Sequence, residues 1–488
     1  MTRLGIHQPT GSAQLYSPIG WLILLSLGLM AAGILYLLDL KGAVMLLLLP
    51  IGLFFIAQLT LKPRYGLFAA TFLSFFISGF SRYMAFPWGL GIDIILFITW
   101  LIVFFKRFRS GDWSPLRNDL CLWALVWFGF VVLEIGNPEA RSLSAWFYAM
   151  RGVGFYQLLS MTLAFLLLRH PKYLNQFLHL TISISVLGSL WGLRQKLFGT
   201  DAAEDHWLWV EGHFDEHVLF GVLRVFSFYS DAGQFGASQA MFALLCGILF
   251  LNPKFNFSTR LLYLGAALLC FIGFGISGTR GAIAVPVVGG LTFLIISKNF
   301  KLLLSGVLVM GISFYVLKYT HVLHGVEQVR RMRTALADDN PSLNARLRNQ
   351  AAFGRYLKSR PLGGGIGTAG FWGNRFSPNS FLAQTPTDSY YVKIWAETGI
   401  IGLSLHLLML GYFIGKGGFI VWNLKNISLR YKIMALYSCM VGVVFCSYGN
   451  QVFSQMPTGM LMNLTLAFIF LAPHFDRILE AEENDLDK

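Results

Sequence analysis

The sequence predicts an all-α polytopic membrane protein with about 14 transmembrane helices and a large helical loop on the outer face. Hydrophobic residues make up 55% of the chain and charged residues 13%, and the mean hydropathy is +0.60. This composition offers too little polar surface to cover the apolar side chains of a soluble globular protein. A bilayer is therefore the expected environment of the chain.

Apolar runs long enough to cross a hydrocarbon core of about 30 Å recur along the whole chain. The expected spans are residues 20–38, 43–60, 66–80, 88–105, 120–136, 152–168, 174–194, 233–251, 260–276, 282–297, 301–318, 390–414, 432–448 and 456–472. Residues 1–318 then hold helices 1 to 11 and an outer loop at 195–232. A large outer loop follows at 319–389, and residues 390–488 hold helices 12 to 14 and a cytoplasmic tail.

Lysine and arginine indicate the orientation of these spans, because short cytoplasmic loops are rich in them. If the N-terminus is inside, every inner connection is basic. The residues concerned are Lys62, Arg64, Lys106, Arg107, Arg109, Arg117, Arg169, Lys172, Lys254, Arg260, Lys298, Lys301, Lys416, Lys425, Arg430 and Lys432. Both termini are then cytoplasmic, and the first span, which no cleavage pattern precedes, is retained as a helix. The formal charge of +14 is in part a topology signal, and no nucleic-acid motif accompanies it.

A helix is predicted inside the large outer loop. Asn340-Pro341 is a typical helix start and the glycines at 363–365 are a typical end, so the helix should run from Pro341 to about Ser359. Its apolar face carries Arg346 at the edge, and two arginines fall on the opposite, solvated face. The apolar face is formed by Leu343, Leu347 and Leu357, and the solvated arginines are Arg348 and Arg355.

Three arginines lie outside the inner loops, beside unusual backbone: Arg224, Arg280 and Arg346. Arg224 precedes the eighth span, and Arg280 belongs to Ser277-Gly278-Thr279-Arg280-Gly281, which is short enough to require a tight turn at the membrane surface. An arginine near the bilayer centre would cost roughly 2.5 to 3.5 kcal/mol, so each should face a polar cavity or the interface. One interpretation is that each side chain reaches lipid headgroups. The alternative is that the three guanidinium groups together hold a diphosphate through bidentate contacts.

Two carboxylates follow at the twelfth span. Asp388 lies at its mouth, where helix capping and catalysis are both reasonable roles for a carboxylate. Glu397 follows about nine residues later, some 13 Å deeper at the helical rise of about 1.5 Å per residue. An unpaired carboxylate is expensive at that depth, so a partner such as arginine is expected.

The outer loop at 195–232 offers further polar groups. Asp231 and Gln234 are expected to cap the eighth span, and they lie within reach of Arg224. Three histidines among acidic residues could hold a divalent ion, but they lack a fixed ligand spacing, so a solvated acidic loop is the preferred interpretation. The histidines are His206, His213 and His217. The five cysteines are scattered in or near the spans, and neither a disulfide nor a zinc site is expected.

These segments resemble the motifs of the O-antigen ligase and O-antigen polymerase superfamily of bacterial envelope glycosyltransferases. The resemblance rests on the Arg224 segment, on the turn that ends at Gly281, and on a longer run that begins at Arg346. That run continues through Pro361-Leu362-Gly363-Gly364-Gly365-Ile366-Gly367 to Asp388 and Glu397-Thr398-Gly399-Ile400-Ile401-Gly402. The other spans agree with the family only in being hydrophobic.

The resemblance implies a C-type glycosyltransferase architecture. It also implies transfer of a whole glycan from an undecaprenyl-diphosphate carrier to an acceptor hydroxyl at the outer face of the bacterial inner membrane. The acceptor is a glycan, a lipid or a protein; membrane lipid surrounds the enzyme, and no cofactor, metal ion or nucleic acid is implied. By the same resemblance, Arg224, Arg280 and Arg346 hold the diphosphate and Asp388 activates the acceptor. The residues expected to support this site are Glu397, Asp231 and Gln234.

Ligases of this family commonly have histidine followed by asparagine where this chain has Asp388-Ser389, which favours a polymerase over a ligase. A carboxylate is ionised at pH 7 and can accept the proton of a sugar hydroxyl. The main alternative is a lipid-linked oligosaccharide flippase or a polysaccharide transporter. A transporter needs basic side chains along a path through the membrane, whereas these arginines cluster at one face. A scaffolding protein, the third alternative, would leave the arginines without a role.

Overall fold

The computed structural model describes residues 18–84, 86–108, 111–219, 221–320, 325, 329–330, 333 and 341–486. The chain divides into two compact units, Met1–Tyr65 and Gly66–Lys488. The longer helices are α1 (Pro18–Leu61), α2 (Arg64–Tyr83), α3 (Trp88–Phe108), α4 (Asp119–Leu133), α5 (Leu143–Met150), α6 (Tyr156–Leu167), α7 (Pro171–Phe198), α8 (Ala232–Phe250), α9 (Phe257–Ser277), α10 (Gly290–Ile296), α11 (Phe300–Tyr319), α12 (Pro341–Leu357), α13 (Gly370–Phe376), α14 (Tyr390–Asn423), α15 (Ile427–Cys446) and α16 (Thr458–Leu486).

Short elements connect these helices. The 3-10 turns are Ser114–Leu116, Glu134–Gly136 and Arg280–Ile283, and the π turns are Arg151–Phe155, His206–Val210 and Val285–Gly289. Four-residue α-helical turns lie at Ala202–Asp205, Phe214–His217 and Phe381–Gln384. Two short strands, β1 (Val218–Leu219) and β2 (Val222–Leu223), pair antiparallel.

The first unit consists mainly of α1. This helix runs without interruption over 44 residues and includes Pro50. At a rise of about 1.5 Å per residue it is about 66 Å long, roughly twice the hydrocarbon thickness. The prediction of two separate spans at 20–38 and 43–60 is therefore wrong. The physical reason is that the connecting residues 39–42 contain one glycine and no proline, so turn formation does not compete with helix propagation.

Ten helical segments among the described residues are long and apolar enough to cross a membrane. They coincide with ten of the predicted spans, namely every span from residue 88 onward except 282–297. At that position a 3-10 turn, a π turn and α10 follow one another, and the apolar run is too short to count as an eleventh segment. The predicted span at 66–80 lies within α2, whose polar residues lower its hydropathy. The described chain is thus an all-α polytopic membrane protein.

α8 lies at the centre of the second unit, where it packs against α9, α15 and α7. Its buried residue Gln239 accepts a hydrogen bond from Ser189 Oγ at 2.7 Å and donates one to the Tyr229 hydroxyl at 3.2 Å. Polar side chains in a hydrocarbon environment are stable when they bond to one another in this way. These bonds hold α8 against α7 and against the loop that enters α8.

A glycine loop closes a break in α14. Gly399 has φ of +63° and ψ of −166° inside this helix, so the regular hydrogen bonding is interrupted there. The N–H groups of Gly364 and Gly365 each donate to a carbonyl of α14 at 2.9 Å. A Cβ on Gly363 or on Gly399 would collide with the facing backbone. Irregular backbone at membrane depth is tolerated where protein groups satisfy it, and this loop supplies those groups.

Candidate active site

The Arg224 segment leaves the short hairpin formed by β1 and β2. The Arg224 backbone N–H donates to the carbonyl of His217 at 2.7 Å, which extends the hairpin by one bond. Its guanidinium donates to Thr279 Oγ1 at 3.2 Å and to the carbonyl of Glu216 at 3.2 Å. Arg224 therefore lies beside the residue that precedes Arg280.

The turn that carries Arg280 is as tight as predicted. Gly278 caps α9 in the left-handed conformation with φ of +60°, and Arg280 begins the next helical turn. The hydroxyl of Thr279 donates to the carbonyl of Ala232 at 2.7 Å, and Ala232 is the first residue of α8. This single hydroxyl thus ties the Arg280 turn to the start of α8 and to the guanidinium of Arg224.

Arg346 lies on α12, the helix predicted for the large loop. Phe353 and Leu357 are 0% and 5% exposed and pack with residues of α14. Leu343 and Leu347 are 42% and 49% exposed, so only the Leu357 end of the predicted apolar face is buried against protein. The reason is that α12 packs against α14 near its C-terminal end. Arg346 is half-buried, while the two arginines predicted to be solvated, Arg348 and Arg355, are exposed.

Arg346 and the Arg280 turn meet at Gly449, in the turn that follows α15. A Cβ on Gly449 would stand 3.7 Å from Arg346 Nη1 and 3.8 Å from Gly281 Cα. Together with the bond between Arg224 and Thr279, this contact brings all three arginine-bearing segments to one end of the helical bundle. The result is a concentration of positive charge at this end, which favours an anionic ligand.

Asp388 lies at the same end, immediately before α14, and its side chain is exposed. The N-cap position of α14 is occupied by Ser389, so Asp388 is not the helix cap. Its backbone is left-handed, with φ of +51°. The flanking residues are held on both sides: Gln451 Nε2 donates to Thr387 Oγ1, and the Tyr390 N–H donates to the carbonyl of Ser447 at 3.0 Å.

Asp231 caps α8, as predicted. Its carboxylate accepts a hydrogen bond from the backbone N–H of Gln234 at 2.9 Å and another from Ser230 Oγ at 2.9 Å. The Gln234 side chain is fully buried and donates to Thr458 Oγ1 at 2.8 Å, which joins α8 to the start of α16. Both residues thus fix helix ends at this end of the bundle.

Glu397 lies away from the arginines. Its side chain is fully buried beside the glycine loop, and its carboxylate faces the backbone N–H groups of Gly367 and Ala369 without a hydrogen bond of regular geometry among the described residues. The expected arginine partner is therefore not found in the part of the chain that the structure describes. Seven residues separate Glu397 from the start of α14 at Tyr390, about 10 Å along a helix. The arginine-bearing segments meet at the mouth of the bundle, above this depth.

Two acidic residues of the first outer loop pair with arginine. Arg194 at the end of α7 forms ion pairs with Glu204 at 2.7 Å and with Asp201 at 3.2 Å. His217 is 1% exposed, and burial lowers the pKa of its imidazole to about 4, so it is neutral at pH 7. Five of the loop's other acidic and histidine residues are exposed, as expected of a solvated acidic loop: Asp205, His206, Glu211, Asp215 and Glu216.

The turn after α15 was not among the segments predicted to form the site. Asn450 and Gln451 lie among the arginine segments and beside Asp388, although they belong to neither of the long outer loops. The available signal was the polar run Tyr448-Gly449-Asn450-Gln451 between two apolar spans at the same end of the bundle. Two consecutive carboxamides supply both hydrogen-bond donors and acceptors at this position.

Comparison with known proteins agrees with these features. A family model described as O-antigen ligase matches residues 265–407, which include Arg280, Arg346, Asp388 and Glu397. The chain is also 28% identical over 338 residues to an O-antigen polymerase of Salmonella muenchen, an alignment that covers 65% of this chain and 78% of that protein. Together with the helical membrane architecture, these matches support the resemblance of the chain to the O-antigen ligase and polymerase superfamily.

Proposed function

We propose that this chain is a membrane glycosyltransferase that acts on undecaprenyl-diphosphate-linked oligosaccharide at the outer face of the bacterial inner membrane. We further propose that it polymerises repeat units rather than ligating finished chains. Resemblance to the superfamily supports a membrane enzyme of O-antigen processing. The observation that carries the finer proposal is the convergence of three arginine-bearing segments and the Asp388 loop on the turn at Gly449.

The arginines would act on the leaving group. When the bond between the anomeric carbon and the diphosphate oxygen breaks, negative charge grows on the diphosphate. Guanidinium groups fixed beside that oxygen stabilise the charge without rearranging at the moment of reaction. Arg224 is fixed through Thr279, and Arg346 is held by the packing of α12 on α14. Removal of one such donor is expected to slow transfer by about 10² to 10³.

Asp388 would act on the acceptor. An acceptor hydroxyl gives its proton to the Asp388 carboxylate and its oxygen forms the new bond to the anomeric carbon. The bond to the diphosphate breaks on the opposite side, so the configuration at that carbon is inverted and undecaprenyl diphosphate leaves with the bonding electrons. The exposed Asp388 carboxylate is free to meet an acceptor, because Ser389 occupies the helix cap. General base catalysis of this kind contributes about 10² to 10⁴ to a rate.

Two observations support polymerisation over ligation. The Salmonella muenchen relative is named an O-antigen polymerase, and the alignment covers 78% of its length. In addition, this chain has Asp388-Ser389 at the position where the family resemblance implies histidine and asparagine for ligases. A flippase, the competing class, would require basic residues along the bundle, whereas the arginine-bearing segments identified above meet at one end of it.

The proposal is tested in a strain that lacks this protein, by measuring the size profile of surface glycan and the glycan left on the lipid carrier. A polymerase predicts short single-repeat glycans on the final acceptor. Full-length chains stranded on the carrier would instead identify a ligase. Oligosaccharide trapped on the inner leaflet would identify a flippase and overturn the proposal.

Complementation of that strain locates the site. Arg280→Ala, Arg346→Ala and Asp388→Asn are each expected to abolish long polymer while the protein accumulates in the membrane. Arg348→Ala is the matched control for Arg346→Ala, because Arg348 lies on the same helix with its side chain exposed. Normal polymer length in both Arg280→Ala and Asp388→Asn would show that the site is elsewhere.

A further inference from the structure

The turn that follows α15 stands between the arginine-bearing segments. Gly449, in this turn, has no side chain. A Cβ placed on it would lie 3.7 Å from Arg346 Nη1 and 3.8 Å from Gly281 Cα. The next residue is Asn450, which is half-exposed. The side chain that enters the space between the arginine segments at this turn is therefore a carboxamide.

Gly281 makes room for this carboxamide, and Gly233 lies in contact with it. Asn450 Nδ2 lies 2.5 Å from the point where a Cβ on Gly281 would stand, so any larger residue at 281 would displace it. Asn450 Oδ1 lies 3.6 Å from the same point and 3.8 Å from the corresponding point on Gly233. The amide is thus placed between the Arg280 turn and the first turn of α8, beside the Asp231 cap.

The hydrogen-bonding capacity of Asn450 is largely unused within the described chain. Its Nδ2 makes a 3.8 Å contact with Cys446 Sγ, which is a weak acceptor. A carboxamide offers two donors on nitrogen and an acceptor on oxygen. Since the Asn450 side chain is half-exposed at a site that would bind substrate, these groups are available to a ligand.

The chemistry of the site assigns a ligand group to this amide. Phosphate oxygens accept hydrogen bonds, and the donors of arginine satisfy them fully. A sugar hydroxyl both donates and accepts, and arginine has no acceptor to offer it. A carboxamide beside the arginines supplies both functions. It therefore suits the sugar that is joined to the diphosphate better than the diphosphate itself.

We propose that Asn450 binds a hydroxyl of the sugar next to the diphosphate, and so distinguishes the glycan-bearing donor from the bare carrier. The inference rests on the proposed glycosyl transfer. It has a consequence for turnover: after transfer, the carrier that remains has lost the group to which Asn450 binds. Undecaprenyl diphosphate is then held by the arginines alone, so it dissociates more readily than the glycan-bearing donor does.

The test compares two ligands on the full-length protein in lipid nanodiscs. One is undecaprenyl diphosphate, and the other is the lipid-linked repeat unit extracted from a strain that lacks this protein. Asn450→Ala is expected to weaken binding of the lipid-linked repeat unit about tenfold, as the loss of one or two hydrogen bonds implies, and to leave undecaprenyl diphosphate binding unchanged. Arg280→Ala is expected to weaken binding of both ligands.

Controls separate this proposal from loss of fold and from failure of the proposed function. Asn423→Ala removes an exposed asparagine at the far end of α14 and should change neither affinity. If Asn450→Ala unfolds at a lower temperature than the wild type, Asn450→Ser replaces it in the test. Serine is polar but too short to reach the same hydroxyl, so this variant should show the same selective loss. If a folded Asn450 variant binds both ligands equally more weakly, or binds both as well as the wild type does, the role of Asn450 is overturned. Binding of neither ligand by the wild-type protein would overturn the glycosyl-transfer proposal itself.

Discussion

At the scale of single residues, the backbone of Asp388 is the clearest sign of a constrained site. A left-handed conformation, here with φ of +51°, is uncommon for a residue other than glycine, although aspartate tolerates it better than most. Such conformations persist where surrounding contacts determine them, and they cluster at functional sites. Here the contacts come from the turn after α15 on one side and from Asn349, which donates to the carbonyl of Pro386 at 3.3 Å, on the other. The backbone on both sides of Asp388 is thus held in place by groups distant in sequence.

Gln451 is expected to act through Asp388 rather than on the substrate. Gln451→Ala removes the hydrogen bond to Thr387, worth about 1 kcal/mol, and should lower kcat about five- to tenfold with KM nearly unchanged. Kinetics of glycan transfer from the lipid-linked repeat unit would measure both constants.

Thr387 provides the matched variants for this prediction. Thr387→Val should reproduce the loss because it removes the acceptor, and Thr387→Ser should retain activity because it keeps the hydroxyl. The double variant Gln451→Ala with Thr387→Val should be no slower than either single variant, since both remove the same bond. Additive losses would contradict the proposed coupling.

At the scale of elements, the break in α14 and the glycine loop form one unit. The loop passes so close to Gly399 that neither Gly363 nor Gly399 has room for a Cβ. The bonds from the loop to the helix connect α12, which carries Arg346, to α14, which begins beside Asp388. This connection explains why the glycine-rich run and the Glu397-Thr398-Gly399 run occur together in the sequence: each fits only the other.

Gly399→Ala is expected to destabilise the protein severely. The substitution introduces a collision with the Pro361 carbonyl and places a Cβ at a φ of +63°, so the cost should exceed about 1 to 3 kcal/mol. Thermal unfolding in detergent would measure it. Gly411→Ala is the matched control in the same helix, because a Cβ there meets no atom within 4 Å. A Gly399→Ala protein as stable as Gly411→Ala would show that the break is not required.

At the scale of the whole molecule, the described helices separate two chemically different ends. The arginine-bearing segments, Asp388 and the Asn450 turn lie where α9 and α15 end and α8, α14 and α16 begin. At the opposite ends of α14 and α15 lie Lys425 and Arg430 from the predicted inner loops. Lys298, from another predicted inner loop, donates to the carbonyl of Trp422 near the end of α14. Because cytoplasmic loops are the basic ones, we expect the arginine site to face away from the cytoplasm.

Cysteine labelling tests this orientation. All five native cysteines are buried, so a membrane-impermeant maleimide should report on introduced cysteines. In spheroplasts, Arg348→Cys should be labelled and Lys425→Cys should be labelled only after lysis; both positions are exposed. Labelling of Lys425→Cys in intact spheroplasts, with Arg348→Cys protected, would reverse the topology and place the site in the cytoplasm.

The helical membrane architecture follows largely from the sequence. Hydropathy located ten helices that the structure describes as able to span, because burial in hydrocarbon requires long apolar runs whatever the tertiary packing. The same cost of polar groups made Arg224, Arg280, Arg346 and Asp388 stand out, and the turn at Gly278 and helix α12 were readable from glycine and proline. The prediction failed in α1, where two spans were expected. No strong turn signal separates them, so the helix continues from one into the other.

The sequence by itself determined that this is a helical membrane protein that resembles the O-antigen ligase and polymerase superfamily, with a small set of polar residues at unusual positions. Only the tertiary structure decided which of those residues meet. In the structure Arg224 contacts Thr279, and Arg346 lies beside the Arg280 turn. Asn450 and Gln451 lie next to these segments, whereas Glu397 is buried deeper in the bundle. The physical reason is that hydropathy and turn chemistry are local properties, whereas contacts between helix ends depend on how whole helices pack.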